Sequence, residues 1–237
     1  MDLIEVAARL RDEVDELHFA PPVAYAYNPL RYAWDPHQDY LRRFGRGPKE
    51  VVLLGMNPGP FGMAQTGVPF GDVAMVRDWL GIVAPVEMPP RMHPKRPVAG
   101  FQCNRNEVSG QRLWGWARAR FATPECFFER FFVANYCPLA FVEQSGRNRT
   151  PDALPRRERA PLFAICDRAL RDLVGTLGPT HVIGIGRFAA DRAAAATAGL
   201  AVRVGRILHP SPASPAANRG WAVQAEAGLS ELGIELR

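Results

Sequence analysis

The chain has 237 residues, 47% hydrophobic and 22% charged, with a formal net charge of +5 and a pI near 9.3. A chain of this length can bury a full core without disulfides or metals, and this composition excludes a disordered or fibrous protein. No stretch is long and apolar enough to span a membrane, and Met1–Phe19 carries acidic residues where a signal peptide needs an apolar run.

In chain order, Leu3, Ile4, Val6, Ala7, Leu10, Val14 and Leu17 recur at helical spacing, which predicts an amphipathic helix over 3–18, closed off by Pro21 and Pro22. Residues 22–48, rich in aromatics, Pro and Gly, read as an irregular cover with a short helix near Gln38–Phe44. Glu50–Leu54 is a short unpatterned apolar run before Gly55, the mark of a buried parallel strand. A helix over Val73–Leu80, a long proline-rich loop over 83–110 and a helix over Gln111–Phe121 come next. Phe131–Ala134, His181–Ile185 and Val202–Leu208 read as further strands, separated by helices over Arg157–Leu177 and Phe188–Ala198. A helix over Ala216–Leu232 closes the chain. This alternation predicts a single α/β domain, a three-layer α/β/α arrangement around a central, mainly parallel four-stranded sheet. Ligands of such sheets bind beyond the carboxyl ends of the strands. Asn57, Asn135 and His209 each follow a predicted strand and are expected on one rim.

The mild basic excess suits a polyanionic partner. All but two of the basic residues, Lys49 and Lys95, are arginine. Arginine favours bidentate phosphate contacts, although a GC-rich coding sequence leaves the same bias. Cys103, Cys126, Cys137 and Cys166 are dispersed, with no zinc-ribbon or ferredoxin spacing. No metal, iron–sulfur cluster or other cofactor is therefore expected. Scattered thiols fit a reducing compartment, cytoplasmic or, in a eukaryote, nuclear.

The densest signal is Gly55-Met-Asn-Pro-Gly-Pro-Phe-Gly-Met-Ala-Gln-Thr-Gly-Val-Pro-Phe-Gly71, with five glycines and three prolines. Glycine lets backbone approach a ligand and proline fixes the path. No GK[ST] ending makes it a P-loop. The amide of Asn57 and the rings of Phe61 and Phe70 offer what a flat polar heterocycle needs, a stacking face and a hydrogen-bonding group. The second signal is Ile207–Trp221, where His209 is followed by a segment stiffened by Pro210, Pro212 and Pro215. The third is Val133–Leu139, where Asn135 offers both donor and acceptor. Taken singly, each could be an ordinary structural turn.

Together these segments resemble the single-strand-selective monofunctional branch of the uracil-DNA glycosylase superfamily. The resemblance extends to Tyr27–Trp34, His93–Val98 and Glu107–Gly110, and so covers most of the chain from about residue 22. It implies that Asn57 positions the attacking water and that Phe70 stacks on a flipped-out base. Asn135 would then read the Watson–Crick edge, and His209 would donate to uracil O2 as charge develops. It places Met56, Gly59 and Met63 against the base, with Gly59 and Met63 near C5, where the family admits a hydroxymethyl group through an ordered water. The segment Pro210, Ser211, Pro212, Ala213, Ser214 to Arg219 would wedge into duplex DNA, with Lys95 and Arg96 near the strand. Vertebrate members carry an arginine at the position of Ala213. Arg219 or Ser214 must take its part here, or action on duplex is weaker. The partner implied is uracil-containing DNA, single- or double-stranded, bound by a monomer.

The residue types suit that chemistry. Departure of a pyrimidine anion calls for a preorganised donor at O2, worth about 2.7–4 kcal/mol in comparable sites. An amide at Asn57 accepts a proton poorly, which moves the weight to leaving-group stabilisation. Neither lysine falls on the expected rim, so no Schiff-base lyase step is expected. Two rivals remain open on sequence. Gly184-x-Gly186 in Val182–Ala189 fits a dinucleotide-binding turn, but the next strand offers Arg203 and Arg206 in place of the usual acid. The basic segments at 91–96, 147–149 and 156–159 would equally suit a non-catalytic nucleic-acid binder.

Overall fold

A computed structural model describes residues 2–236. Its strands, in chain order, are β1 (Val23–Tyr27), β2 (Val51–Gly55), β3 (Phe131–Asn135), β4 (Ala140–Glu143), β5 (Asn148–Arg149), β6 (His181–Ile185) and β7 (Arg203–Ile207). The helices are α1 (Leu3–Asp15), α2 (Pro29–Tyr32), α3 (Trp34–Phe44), α4 (Met63–Thr66), α5 (Val73–Asp78) and α6 (Val108–Phe121). They continue with α7 (Pro124–Phe128), α8 (Arg156–Leu177), α9 (Arg187–Ala196), α10 (Pro215–Asn218) and α11 (Trp221–Glu231).

The expected parallel sheet is present, in the order β3-β2-β6-β7. Every residue of β2 and β6 is buried, as unpatterned apolar strands covered on both faces must be. Neighbouring residues of β6 show the two covering layers. Gly184 lies against Ala190 of α9, while Ile183 packs beside Gly205 and Leu232 at the end of α11. Helices α1, α8 and α9 form one layer, and α6, α7 and α11 the other. A capping box between Asp2 and Glu5 starts α1. Ion pairs from Arg9 to Asp172 and from Arg168 to Glu13 lay α1 along α8. The second layer is built on aromatics, with Phe127 and Phe131 stacked 5.2 Å apart and Trp116 edge-on to Trp221.

Several boundaries differ from the sequence reading. Helix α1 stops at Asp15, short of residue 18. Residues 22–48 are not irregular throughout. They contain β1, which pairs antiparallel with β4, and β4 pairs with β5 to make a second sheet of order β1-β4-β5. The partner of β1 lies far along the chain, so no hairpin turn announces it. The loop after β2 contains the short helix α4, and α7 precedes β3. The closing helix is broken between α10 and α11, where Gly220 takes φ 109°. Only glycine turns there without strain.

Candidate active site

The strands end nearly level, which assembles the rim. Gly55 faces Asn135 in the β2–β3 register, and Ile185 faces Ile207. Pairing continues past the strands through Tyr136 N–H to Gly55 O and Cys137 N–H to Met56 O, both 2.9 Å. The strand order puts β2 between β3 and β6, so the crevice of the sheet opens above Gly55.

At that point Asn135 and Phe70 converge, with His209 beside the Phe70 ring. A Cβ on Gly55 would lie 2.3 Å from Asn135 Oδ1 and 2.6 Å from the Phe70 ring. Both side chains therefore lean over Gly55, and only a hydrogen there leaves them room. The Phe70 ring lies 6.2 Å from the His209 imidazole, tilted by 41°. The imidazole backs onto Gly186. Asn135 Nδ2 donates to Met63 Sδ at 3.2 Å, joining the C5-wall candidate to the same group. Asn57 Nδ2 donates to Leu139 O at 3.1 Å, and its Oδ1 has no protein partner among the described residues. Burial lowers the His209 pKa, so the ring is neutral at pH 7.

The loop from Gly55 to Gly71 is held rigid by groups both outside and within it. Tyr32 OH donates to Ala64 O at 2.7 Å and His37 Nδ1–H to Gly67 O at 2.8 Å. Gln65, buried, donates to Pro60 O and Pro97 O and accepts from Ala99 N–H. Thr66 Oγ1 donates to Gly71 O at 3.0 Å. Phe70 itself has φ 54°, a left-handed conformation rare for a bulky residue. Such strain persists only where the surroundings over-determine the backbone. Helix α6 supplies one such constraint, since a Cβ on Gly110 would fall 2.0 Å from Phe70 O.

The far side of Asn135 is also fixed. Tyr136 OH donates to Asp167 Oδ1 at 2.7 Å, and Arg192 Nε donates back to the same hydroxyl at 3.0 Å. Arg192 also pairs with Asp167, so α8 and α9 lock the residue next to Asn135. On the other flank, Trp221 Nε1 donates to Leu208 O at 2.6 Å, anchoring the residue before His209.

The uracil DNA glycosylase superfamily model matches residues 43–226. The chain belongs to that superfamily. It is 53% identical to the mouse single-strand selective monofunctional uracil DNA glycosylase, over 98% of this chain and 84% of that protein. The rat protein of that description is 54% identical and the bovine one 53%, over 98% and 95% of this chain and 84% of each relative. The crystal structure of SMUG2 from Pedobacter heparinus covers 97% of this chain and 99% of its own at a TM-score of 0.64. At 16% identity, that likeness concerns the fold. The chain therefore falls in the monofunctional branch and is a DNA glycosylase, a hydrolase of N-glycosyl bonds.

In this glycosylase the glycines of the Gly184–Gly186 turn serve close packing, Gly184 against the Ala190 backbone and Gly186 against His209. The segment after His209 is a compact turn bonded to itself. Ser214 N–H donates to Ser211 O, Ala213 N–H to Ser211 Oγ, and Ser214 Oγ caps α10. Pro212, Ala213 and Arg219 are exposed. Lys95 and Arg96 are tied to the β4–β5 turn, Lys95 Nζ to Ser145 O and Arg96 Nε to Gly146 O. Arg96 also lies over the Phe61 ring, with Arg105 over the same ring at 3.9 Å. Lys49 lies at the amino end of β2, away from the rim, with its ammonium on Phe128 O.

Sequence reasoning assigned no role to Glu107. Its carboxylate lies against Gly59 and Gly62, and burial raises its pKa against the opposing hydrogen bond from Phe61, with Asp72 adding to the rise. Nothing in the local pattern marks it, although it begins one of the matching segments.

Proposed function

We propose that this glycosylase draws uracil out of the DNA stack into the rim pocket and hydrolyses its N-glycosidic bond, leaving an abasic site in an uncut strand. The observation that carries this is the convergence of Phe70 and Asn135 over Gly55, with His209 beside the Phe70 ring. A ring to stack on, an amide to read an edge and a neutral N–H donor are the groups a departing pyrimidine needs. The names of the relatives support uracil as the base.

In this reading stacking on Phe70 contributes roughly 1–3 kcal/mol and offsets part of the few kcal/mol that base extraction costs. The Asn57 amide donates to Leu139 O and keeps its Oδ1 for the attacking water that this reading assigns to it. Because it is a weak proton acceptor, the main rate effect falls to His209 at O2. Met63 is unbranched and adaptable, so the wall it shares with Gly59 admits 5-hydroxymethyluracil as well. Neither lysine is set for an amine attack, which supports base removal without strand cleavage.

Single-turnover assays on a panel of modified bases, in single strands and duplex, test the proposal. Wild type should release free uracil and leave the strand intact. His209→Ala should lose roughly 100- to 1,000-fold in rate with DNA binding largely kept, the loss typical of an oxyanion donor. A near-normal rate in that variant ends the role given to His209, and strand cleavage by wild type ends the monofunctional reading.

A further inference from the structure

The exposed turn after His209 carries only Pro212 and Ala213 at its tip, with no long side chain to fill a gap in stacked DNA. Its backbone shape must serve instead, and one arginine outside the turn holds that shape. Arg112 of α6, half-buried, donates from Nη1 to Pro210 O at 3.1 Å and to Ser211 O at 3.3 Å. Its Nη2 donates to Asn218 Oδ1 at 2.8 Å. Asn218 in turn donates from Nδ2 to Pro212 O at 3.0 Å. The guanidinium thus grips both ends of the turn, a geometry that a planar fork of donors provides and an ammonium does not. Two residues earlier on the same helix, Gly110 abuts the Phe70 carbonyl. One rigid helix therefore touches the backbone of the stacking ring and the backbone of the inserting turn.

We infer that Arg112 is a positioning residue for duplex DNA: through its clamp on Pro210, Ser211 and Asn218, α6 sets the height of the inserting turn relative to the Phe70 ring. This rests on the base-extraction reading above. In duplex the turn must enter a stack as the base leaves, and a turn displaced from Phe70 no longer supports that exchange. In a single strand there is no opposing stack to enter, so the clamp matters less there.

The experiment compares kcat/KM on the same uracil-containing sequence as single strand and as duplex. Arg112→Ala should lower the duplex-to-single-strand ratio about tenfold, the effect of losing charge-assisted hydrogen bonds. Arg112→Lys should recover only part of it, and 2-aminopurine beside the uracil should report less unstacking in duplex. If Arg112→Ala melts too low to assay, Asn218→Ala removes the clamp from its exposed end and should lower the ratio in the same direction. An unchanged ratio overturns the inference, including one in which both rates fall together. So does a wild type that acts on single strands alone. Absence of uracil release by wild type from either substrate would instead refute the base-extraction reading itself.

Discussion

Gly55 has ordinary strand backbone, so alanine fits its dihedral angles but not its surroundings. The added methyl would meet Asn135 Oδ1 at 2.3 Å and the Phe70 ring at 2.6 Å. Both obstacles are side chains that can swing away, so Gly55→Ala should fold. The displaced groups are the proposed base reader and stacking ring, however, and kcat/KM on uracil DNA should fall at least about tenfold, as misplacement near 1 Å does elsewhere. Thermal melting beside excision rates checks the split. His37 is a second residue whose environment makes a measurable difference. Burial lowers its pKa from 6.5 to about 4, against the hydrogen bond to Gly67 O. Between those values the unfolded chain binds a proton that the native protein refuses. Stability is therefore full above pH 6.5 and declines as pH falls toward 4, by roughly 3 kcal/mol in all. Urea melts across that range should show His37→Gln lacking this part of the decline.

At the scale of elements, the Gly55–Gly71 loop and α6 act as one unit. The loop reaches outward through Tyr32, His37 and Gln65, and α6 presses on it at Gly110. Unlike the obstacles at Gly55, those at Gly110 are backbone, Phe70 O at 2.0 Å and Asp72 N at 3.0 Å. Gly110→Ala must therefore move a helix or the strained Phe70 segment, and should destabilise the fold by about 1–3 kcal/mol as an overpacked site does. It should also lower excision more than its effect on melting explains. A variant that melts and cleaves like wild type would show that α6 does not set the position of Phe70. Much of this unit is invisible to local pattern. The glycines and prolines of the loop announce rigid backbone near a ligand. Nothing in a lone arginine at 112 or a glutamate at 107 distinguishes it from a solvated surface charge.

Across the whole molecule, the net charge of +5 is modest for a protein that holds DNA. The salt dependence of binding should accordingly be moderate, with each neutralised phosphate adding about −0.7 to the log–log slope on single strands and −0.9 on duplex. Arg219 is exposed beside the turn proposed to insert into DNA, and Arg219→Ala should make the duplex slope shallower by about 0.9. An unchanged slope would remove it from the phosphate contacts, leaving Arg105 on the Phe61 ring as the stronger candidate.

The sequence by itself determined the parallel sheet, because buried strands and amphipathic helices write their periods into consecutive residues. It also placed Asn57, Asn135 and His209 at strand ends, and strand ends of a parallel sheet share one rim. The tertiary structure decided what depends on residues far apart in the chain. These are the pairing of β1 with β4, the lock of Tyr136 by Asp167 and Arg192, the pressure of Gly110 on Phe70 and the clamp of Arg112 on the turn. Contacts of that kind have no period and no spacing, since they are set by how layers stack once the local elements exist. The residues of the candidate site were thus legible along the chain, while the contacts that hold them in place appear only in three dimensions.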